Sequence, residues 1–277
     1  MKCTSRKLVK TEIGMGRPPL KAINLQSGII YGPVNSRRLG LSLGINLLPT
    51  TYKLCSFNCL YCQYGWTHNP TINLTHQIKD LPHPEEISNA LETSLQGIIQ
   101  QGTKIDAITF SGNGEPTLHP ELAEIFDRAK TLRNTYYPQA QLAILSNSST
   151  VCKKEVHDAL EMLDVRMMKL DAGSEEVMRQ LNAPTPPFYL GEIVAGLKKL
   201  KDVTLQSLFV QGRVTNADPN SIEDWVKKVK EIQPILVQVY TLDRAPAENR
   251  LWKVNLPTLQ WIARQVYWQA GVKARVY

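Results

Sequence analysis

Cys55, Cys59 and Cys62 lie within Leu54-Cys55-Ser56-Phe57-Asn58-Cys59-Leu60-Tyr61-Cys62, a spacing that brings three thiolates together in one short loop. A cubane [4Fe–4S] cluster has four irons and ordinarily takes four cysteine ligands. Three local cysteines therefore hold such a cluster by three corners and leave one iron open, and the open iron is where chemistry can start. The alternative use of the trio is a structural zinc site with His68 as fourth ligand, although such sites usually come as two closely spaced cysteine pairs. An odd trio cannot pair off internally as disulfides.

The elements that position this loop repeat one unit, a short apolar or β-branched run followed by an amphipathic helix. Strands are expected at Leu41–Leu48, Ile105–Phe110, Gln141–Leu145, Val165–Leu170, Val203–Val210 and Ile235–Thr241. Between the first two, Ile87, Ala90, Leu91, Leu95, Ile98 and Ile99 recur at helical spacing and give one apolar stripe. Leu122, Ile125, Phe126, Ala129 and Leu132 repeat the pattern, with Pro120 near the helix start. Further helices are expected at Lys153–Leu163, Ser174–Leu181 with Leu190–Leu200, Ser221–Ile232 and Pro257–Gln269. Every gap is too long for a hairpin and holds a helix, so the strands should run parallel with right-handed crossovers. Six units make an α/β fold of three-quarter-barrel type with an open side. Ala22–Val34 and Val272–Tyr277 are expected to cover an edge or the bottom.

In such a barrel the functional groups gather at the carboxyl ends of the strands. The cysteine loop follows the first strand. The second ends in Ser111-Gly112-Asn113-Gly114-Glu115-Pro116, the third in Ser146-Asn147 and the fourth in Lys169-Leu170-Asp171. Ser and Asn there also suit ordinary capping. Lys169 and Asp171, charges at the end of an apolar strand, are costly unless functional or paired with each other. Gln206 and Gln238 interrupt the apolar fifth and sixth strands, and the sixth runs on into Tyr240, Asp243 and Arg244. Asp243 and Arg244 would pair with each other in the plainest arrangement. Arg37 and Arg38, just before the first strand, offer a fork for phosphate or carboxylate.

The C-x3-C-x2-C spacing with Tyr61 before the last cysteine resembles the signature of the radical S-adenosylmethionine (SAM) superfamily. Gly112-Asn113-Gly114-Glu115-Pro116 resembles its Gly-Gly-Glu-Pro motif, with Asn113 in place of the first glycine. The resemblance implies a partial (β/α)6 TIM-like barrel, a [4Fe–4S] cluster and SAM chelated at the open iron. It also implies reductive cleavage of SAM to a 5′-deoxyadenosyl radical, with electrons from an external reductant of flavodoxin or ferredoxin type. Tyr61 would lie against the adenine, and Glu115 would meet the SAM ammonium. Gly112, Asn113, Gly114, Ser146, Asn147, Lys169, Asp171 and Gln206 are the further cofactor candidates. Arg37, Arg38, Gln238, Tyr240, Asp243 and Arg244 are the substrate candidates. The segments Tyr31–Gly40, Ser111–Pro120, Lys169–Gly173 and Tyr240–Arg244 are similar to those of a branch related to the wyosine-tRNA synthase group.

That group carries a second three-cysteine cluster, and only Cys3 and Cys152 remain once the first trio is used. A single cluster is therefore expected, and wyosine chemistry in its known form is disfavoured. Cys152 follows the third strand, where a thiol can return a hydrogen atom to a substrate radical or simply pack. The substrate stays open among an RNA base, a small metabolite or sugar, and a peptide. From a different class, a non-catalytic iron–sulfur or zinc module that binds RNA would share the cysteine trio, but it would not cleave SAM.

The 277 residues suit one large domain. Residues 1–22 form a basic arm, with Lys2, Arg6, Lys7, Lys10, Arg17 and Lys21 against Glu12, so +5 of the total +7 sits there. The nearly neutral body, residues 23–277, weakens a nucleic-acid reading of the charge. No apolar stretch follows the basic start or approaches membrane-spanning length, and the cysteine usage suits a reducing cytoplasm.

Overall fold

The computed structural model describes residues 20–185 and 188–277. The basic arm lies almost wholly outside these residues, as does Cys3. In chain order the strands are β1 (Ile30–Ser36), β2 (Gly40–Ile45), β3 (Ala107–Phe110), β4 (Gln141–Ser146), β5 (Val165–Lys169), β6 (Val203–Leu208), β7 (Val210–Gly212), β8 (Leu236–Tyr240), β9 (Leu251–Lys253) and β10 (Ala274–Val276). The helices are α1 (Pro84–Gln100), α2 (Leu122–Tyr136), α3 (Lys154–Leu160), α4 (Glu175–Asn182), α5 (Leu190–Lys199), α6 (Pro219–Ile232) and α7 (Leu256–Gln265).

Eight strands form the main sheet in the order β1-β2-β3-β4-β5-β6-β8-β10, while β7 and β9 pair as a separate antiparallel ribbon. β1 is antiparallel to β2, and every other neighbour is parallel. The expected six parallel strands are thus present, and both terminal segments extend the sheet as strands rather than covering its bottom. The expected fifth strand, Val203–Val210, divides at Phe209, whose N–H makes the closing bond of the β6–β8 ladder to the Tyr240 carbonyl at 2.8 Å before Val210 turns to pair with β9. The first strand ends at Ile45 because the Asn46 amide turns to bond the Leu48 carbonyl and the Asn113 N–H.

Local signals explain the helices. In α1, Pro84 occupies the first turn and Glu86 accepts the His83 N–H at 2.8 Å, closing a capping box. Its stripe of Ile87, Leu91, Leu95 and Ile98 is buried. In α6 the Asp218 side chain caps the Ser221 N–H, and Ile222, Trp225, Val226, Val229 and Ile232 face the sheet. Full burial of each such side chain stabilises the fold by roughly 1.5–3 kcal/mol.

Register assigns the strand faces. Met168, Leu205 and Val237 align with one another and belong to the main core under the helices. Lys169, Gln206, Gln238 and Arg275 align on the opposite, inner face. The sheet curls until its first hairpin meets its last strands, where Arg38 stacks on Tyr240 and Tyr277.

Trp225 ties α6 to the end of β5. It is 1% exposed, donates Nε1–H to the Leu170 carbonyl at 2.9 Å, and meets Phe209 edge-on with centroids 5.0 Å apart. Gly173 permits this approach, since a Cβ there would sit 2.1 Å from the Trp225 nitrogen. Trp225→Phe should lower unfolding free energy by about 2 kcal/mol, because it removes one of the two side-chain donors to the buried Leu170 carbonyl, leaving Ser207 Oγ, and shrinks the ring. Urea denaturation of the two proteins checks this, with an unchanged m-value expected.

Candidate active site

The connection from Ile45 to Pro84 is far longer than an ordinary strand-to-helix loop, a length that usually marks function. Its cysteine segment runs between two other pieces of backbone. On one side the Leu54 N–H bonds the Asn113 carbonyl at 2.9 Å and the Glu115 N–H bonds the Leu54 carbonyl at 3.0 Å. On the other, Asn58 N–H reaches the Asn182 carbonyl at 3.1 Å, Leu60 N–H the Leu181 carbonyl at 3.0 Å, and Thr185 N–H the Ser56 carbonyl at 3.0 Å. A third anchor is the Glu248 N–H on the Leu60 carbonyl at 2.8 Å. The glycine after Asn113 answers to this packing: Gly114 has φ +145°, and a Cβ there would lie 1.7 Å from the Leu54 carbonyl oxygen.

All three thiols are free. Asn147 Nδ2 donates to Cys55 Sγ and Asn182 Nδ2 to Cys59 Sγ, each at 3.5 Å. Burial pushes the Cys55 thiol pKa up, with the neighbouring Cys59 sulfur as the next cause. Burial likewise raises Cys59 to about 11, with Cys62 next. Three thiolates gathered in one buried loop repel one another, a cost that bound cationic iron would remove. Amide donors to sulfur are also a recognised control of cluster potential. The residues fit an iron–sulfur cluster. His68 is exposed, and among the described residues no three His, Cys, Asp or Glu side chains converge on a single-ion position.

Glu115 is 1% exposed and sits beneath the loop. It accepts from Thr117 N–H at 3.0 Å, Thr117 Oγ1 at 2.5 Å, Ser146 Oγ at 2.9 Å and Asn147 N–H at 2.5 Å. Burial raises its pKa and these donors oppose the rise. Three of these donors meet Oε1 and only the Asn147 N–H meets Oε2, so the carboxylate holds the ends of β3 and β4 together and keeps acceptor capacity on Oε2. Ser148, at φ 71°, carries the backbone through the left-handed region just after Asn147, a local strain typical of functional strand ends. Asn147 also donates to Ser56 at 2.9 Å. Asn113 is a brace: its amide spans the Gln26 backbone and the Pro49 carbonyl, with bonds of 2.7–2.9 Å. Gly112 lies over Asn46, whose Oδ1 would be 2.4 Å from a Cβ.

Asp171 is the second buried carboxylate. It accepts from Asn182 Nδ2 at 2.9 Å, Leu208 N–H at 2.8 Å and the Tyr61 hydroxyl, and it pairs with Lys169 at 3.1 Å. Burial pulls the Lys169 ammonium pKa down, but Asp171 and Tyr240 outweigh it and raise it above the usual lysine value. Lys169 Nζ also donates to the Tyr240 hydroxyl at 2.7 Å. The pairing of Lys169 with Asp171 is the one the sequence suggested, and it lies beside the cysteine loop.

The remaining candidates divide. Gln206 and Gln238 both face inward and bond each other at 2.8 Å. Arg37 takes Asp243 at 3.1 Å in an exposed pair, instead of the plainer Asp243–Arg244 pairing, and Arg244 is exposed. Cys152 is a correction. Its thiol is exposed and bonds the Glu192 carbonyl at 2.6 Å. It opens on a cavity of about 320 Å³ between α3 and α5, lined by His157, Glu192 and Lys199. That cavity shares no residue with the one of about 20 Å³ beside Phe57, Asn147, Lys169 and Asp171. A thiol there does not face the cysteine loop.

Asn182 and Glu248 were not singled out from sequence. Asn182 joins Cys59, Tyr61 and Asp171, yet in sequence it is only a polar residue at a helix end. Glu248 is held by Arg213 at 2.5 Å and by Arg250 through Nε at 2.9 Å and Nη2 at 3.0 Å. The hydrogen bonds from Arg250 and then Arg213 draw its pKa down to about 2.

Two outcomes follow. Gly114→Ala should cost about 3 kcal/mol through overlap and backbone strain, with iron uptake falling in parallel, as denaturation and iron assay will show. Glu248 has a depressed pKa, so its stabilisation is complete above about 4.5 and is lost as pH falls toward about 2. The difference in Tm between wild type and Glu248→Gln should therefore be largest near neutral pH and shrink across that window.

A family profile described as the radical SAM superfamily matches residues 50–227. The UPF0026 protein MJ1312 of Methanocaldococcus jannaschii is 32% identical over 80% of this chain, which spans 65% of that protein's length. A radical SAM methyltransferase structure from Sphaerobacter thermophilus superposes with a TM-score of 0.63 at 14% identity, covering 85% of this chain and 65% of that one. A structure of TYW1, a wyosine synthase, with a lysine-pyruvate adduct bound gives a TM-score of 0.57 at 15% identity, covering 84% and 74%. These two share the fold, a mostly parallel TIM-barrel-like α/β sheet. Among the described residues no helix is long and apolar enough to cross a membrane. The cysteine loop, its placement at the strand ends and the matched profile agree: the chain belongs to the radical SAM superfamily.

Proposed function

We propose that Cys55, Cys59 and Cys62 hold one [4Fe–4S] cluster whose open iron takes SAM, and that the enzyme abstracts hydrogen from a substrate yet to be identified. Once bound and reduced, such a cluster would supply the electron for reductive cleavage of SAM to a 5′-deoxyadenosyl radical. An external donor of flavodoxin or ferredoxin type delivers that electron. The observation that carries the reading is the grip on the loop: three free thiols at the carboxyl ends of parallel strands, two with amide donors aimed at sulfur.

The protein's own residues have definable work. Glu115 positions Ser146 and Asn147, and its Oε2, which takes only the Asn147 N–H, keeps acceptor capacity for the SAM ammonium. Asn147 and Asn182 stabilise thiolate charge. Asp171 fixes Tyr61 beside the last cysteine, where its ring can receive the adenine, and it holds Lys169 charged at the inner face. Gly112 and Gly114 keep the turn after β3 low enough for a ligand to lie over it. Gln206 and Gln238 supply neutral polar groups further into the same face.

Anaerobic reconstitution should give about four irons per chain, and the Cys3→Ala/Cys152→Ala double variant should keep them. Cys59→Ala should lose the cluster. With dithionite the wild type should convert SAM to 5′-deoxyadenosine. A fully loaded enzyme that leaves SAM intact would return the chain to the non-catalytic alternative.

A further inference from the structure

Two neighbouring arginines bridge the gap between the first hairpin and the last strands, Arg37 by pairing with Asp243 and Arg38 by stacking on two rings. Arg38, in the turn between β1 and β2, places its guanidinium carbon 4.5 Å from the Tyr240 ring centroid and 4.8 Å from that of Tyr277. Tyr240 ends β8, and Tyr277 follows β10 on the same inner face by the register of Gln238 with Arg275. Lys169 lies 5.1 Å from the Tyr240 ring and 4.9 Å from that of Tyr61. Aromatic rings and cations thus alternate from the gap to the cysteine loop: Tyr277, Arg38, Tyr240, Lys169, Tyr61.

Stacking on two rings accounts for the faces of the guanidinium but not for its edges. Nε and Nη2 are both screened from solvent and have no hydrogen-bond partner. Their N–H bonds run side by side along one edge, the edge that takes a carboxylate or phosphate with two bonds. Buried donors on a charged group are costly when bare. The nearby carboxylates are committed elsewhere, Asp243 to Arg37 and Asp171 to Lys169, Tyr61 and Asn182. Lys169 and Arg275 share this inner face with Tyr240, so the local balance favours an anion.

Resting on the radical SAM reading above, we propose that the Nε–Nη2 edge of Arg38 docks an oxyanion of the substrate, a carboxylate or a phosphate, entering through the gap. Tyr240 and Tyr277 hold the fork in plane, so little rotamer freedom is lost on binding. The turn carrying Arg38 has Asn35, Arg37 and Gly40 at the surface, and a small shift of that turn opens the edge. The substrate then lies along the row of rings, with its anionic end at Arg38 and its reacting end toward Tyr61 and the cysteines.

The test titrates reconstituted enzyme with SAM present, at constant ionic strength, using inorganic phosphate, acetate and neutral acetamide. Tyrosine difference absorbance should saturate with an anion and stay flat with acetamide, and the tighter anion distinguishes phosphate from carboxylate. Arg38→Lys, which keeps the charge but not the fork, should weaken that anion at least tenfold. On the wild type, the anion should also slow modification of Arg38 by an arginine-specific dicarbonyl, read by mass spectrometry, without slowing that of Arg213. No saturation by either anion, equal affinity in Arg38→Lys, or displacement of the anion by SAM would overturn the assignment. Wild type that cleaves SAM but binds neither anion defeats this inference alone. Wild type that binds an anion at Arg38 but leaves SAM intact defeats only the activity it rests on.

Discussion

Three thiolates held close together repel, and a loop that must present them needs a backbone that cannot spread. In this protein the constraint is met by lining the cysteine segment with backbone hydrogen bonds on both sides, from the turn after β3 and from the end of α4. The contact at Gly114 is the tightest point. A side chain of any size there would push the carbonyl of Leu54 away and move Cys55 with it. The glycine-rich turn thus does its structural work against the cysteine loop before any ligand arrives.

Two buried carboxylates divide the remaining task. Glu115 draws in the ends of β3 and β4, and Asp171 draws in β5, β6, Tyr61 and the end of α4. Buried carboxylates are costly unless hydrogen-bonded, and both take four partners from several elements, Asp171 two on each oxygen and Glu115 three on Oε1 and one on Oε2. The energetic consequence is that the strand ends form one polar layer beneath the loop. Displacing any member bares a buried charge, so the layer shifts as a unit or hardly at all.

The strands, helices and parallel order were legible in sequence because each apolar stripe had one period and every gap held at least one helix, two between β5 and β6. The cysteine trio, the Gly112–Glu115 turn and the Lys169–Asp171 pair were legible because their spacing carries chemistry. The roles of Asn182 and Glu248 were not, since a polar residue at a helix end and an acid between two arginines have many ordinary uses. Only the fold brings Asn182 against Cys59 and Glu248 against Leu60. Cys152 shows the converse limit. It follows the correct strand, but Val151 and Gly196 pack so that the thiol meets α5 on the outer side. Strand order places a residue at the mouth of a barrel without saying which way it turns.

The anchors of the cysteine loop lie at Asn113, Asn182 and Glu248, spread over most of the chain that follows it. A growing polypeptide emerges with its cysteines early and the last of these anchors near the end. Until Glu248 has been made and folded back onto Leu60, the thiols occupy a loop held on fewer sides, open to oxidation and to adventitious metals. Assembly order is thereby written into the geometry. The loop attains its final shape only after translation has passed Glu248, between β8 and β9, and loading with iron before that point would meet a receptacle still incomplete.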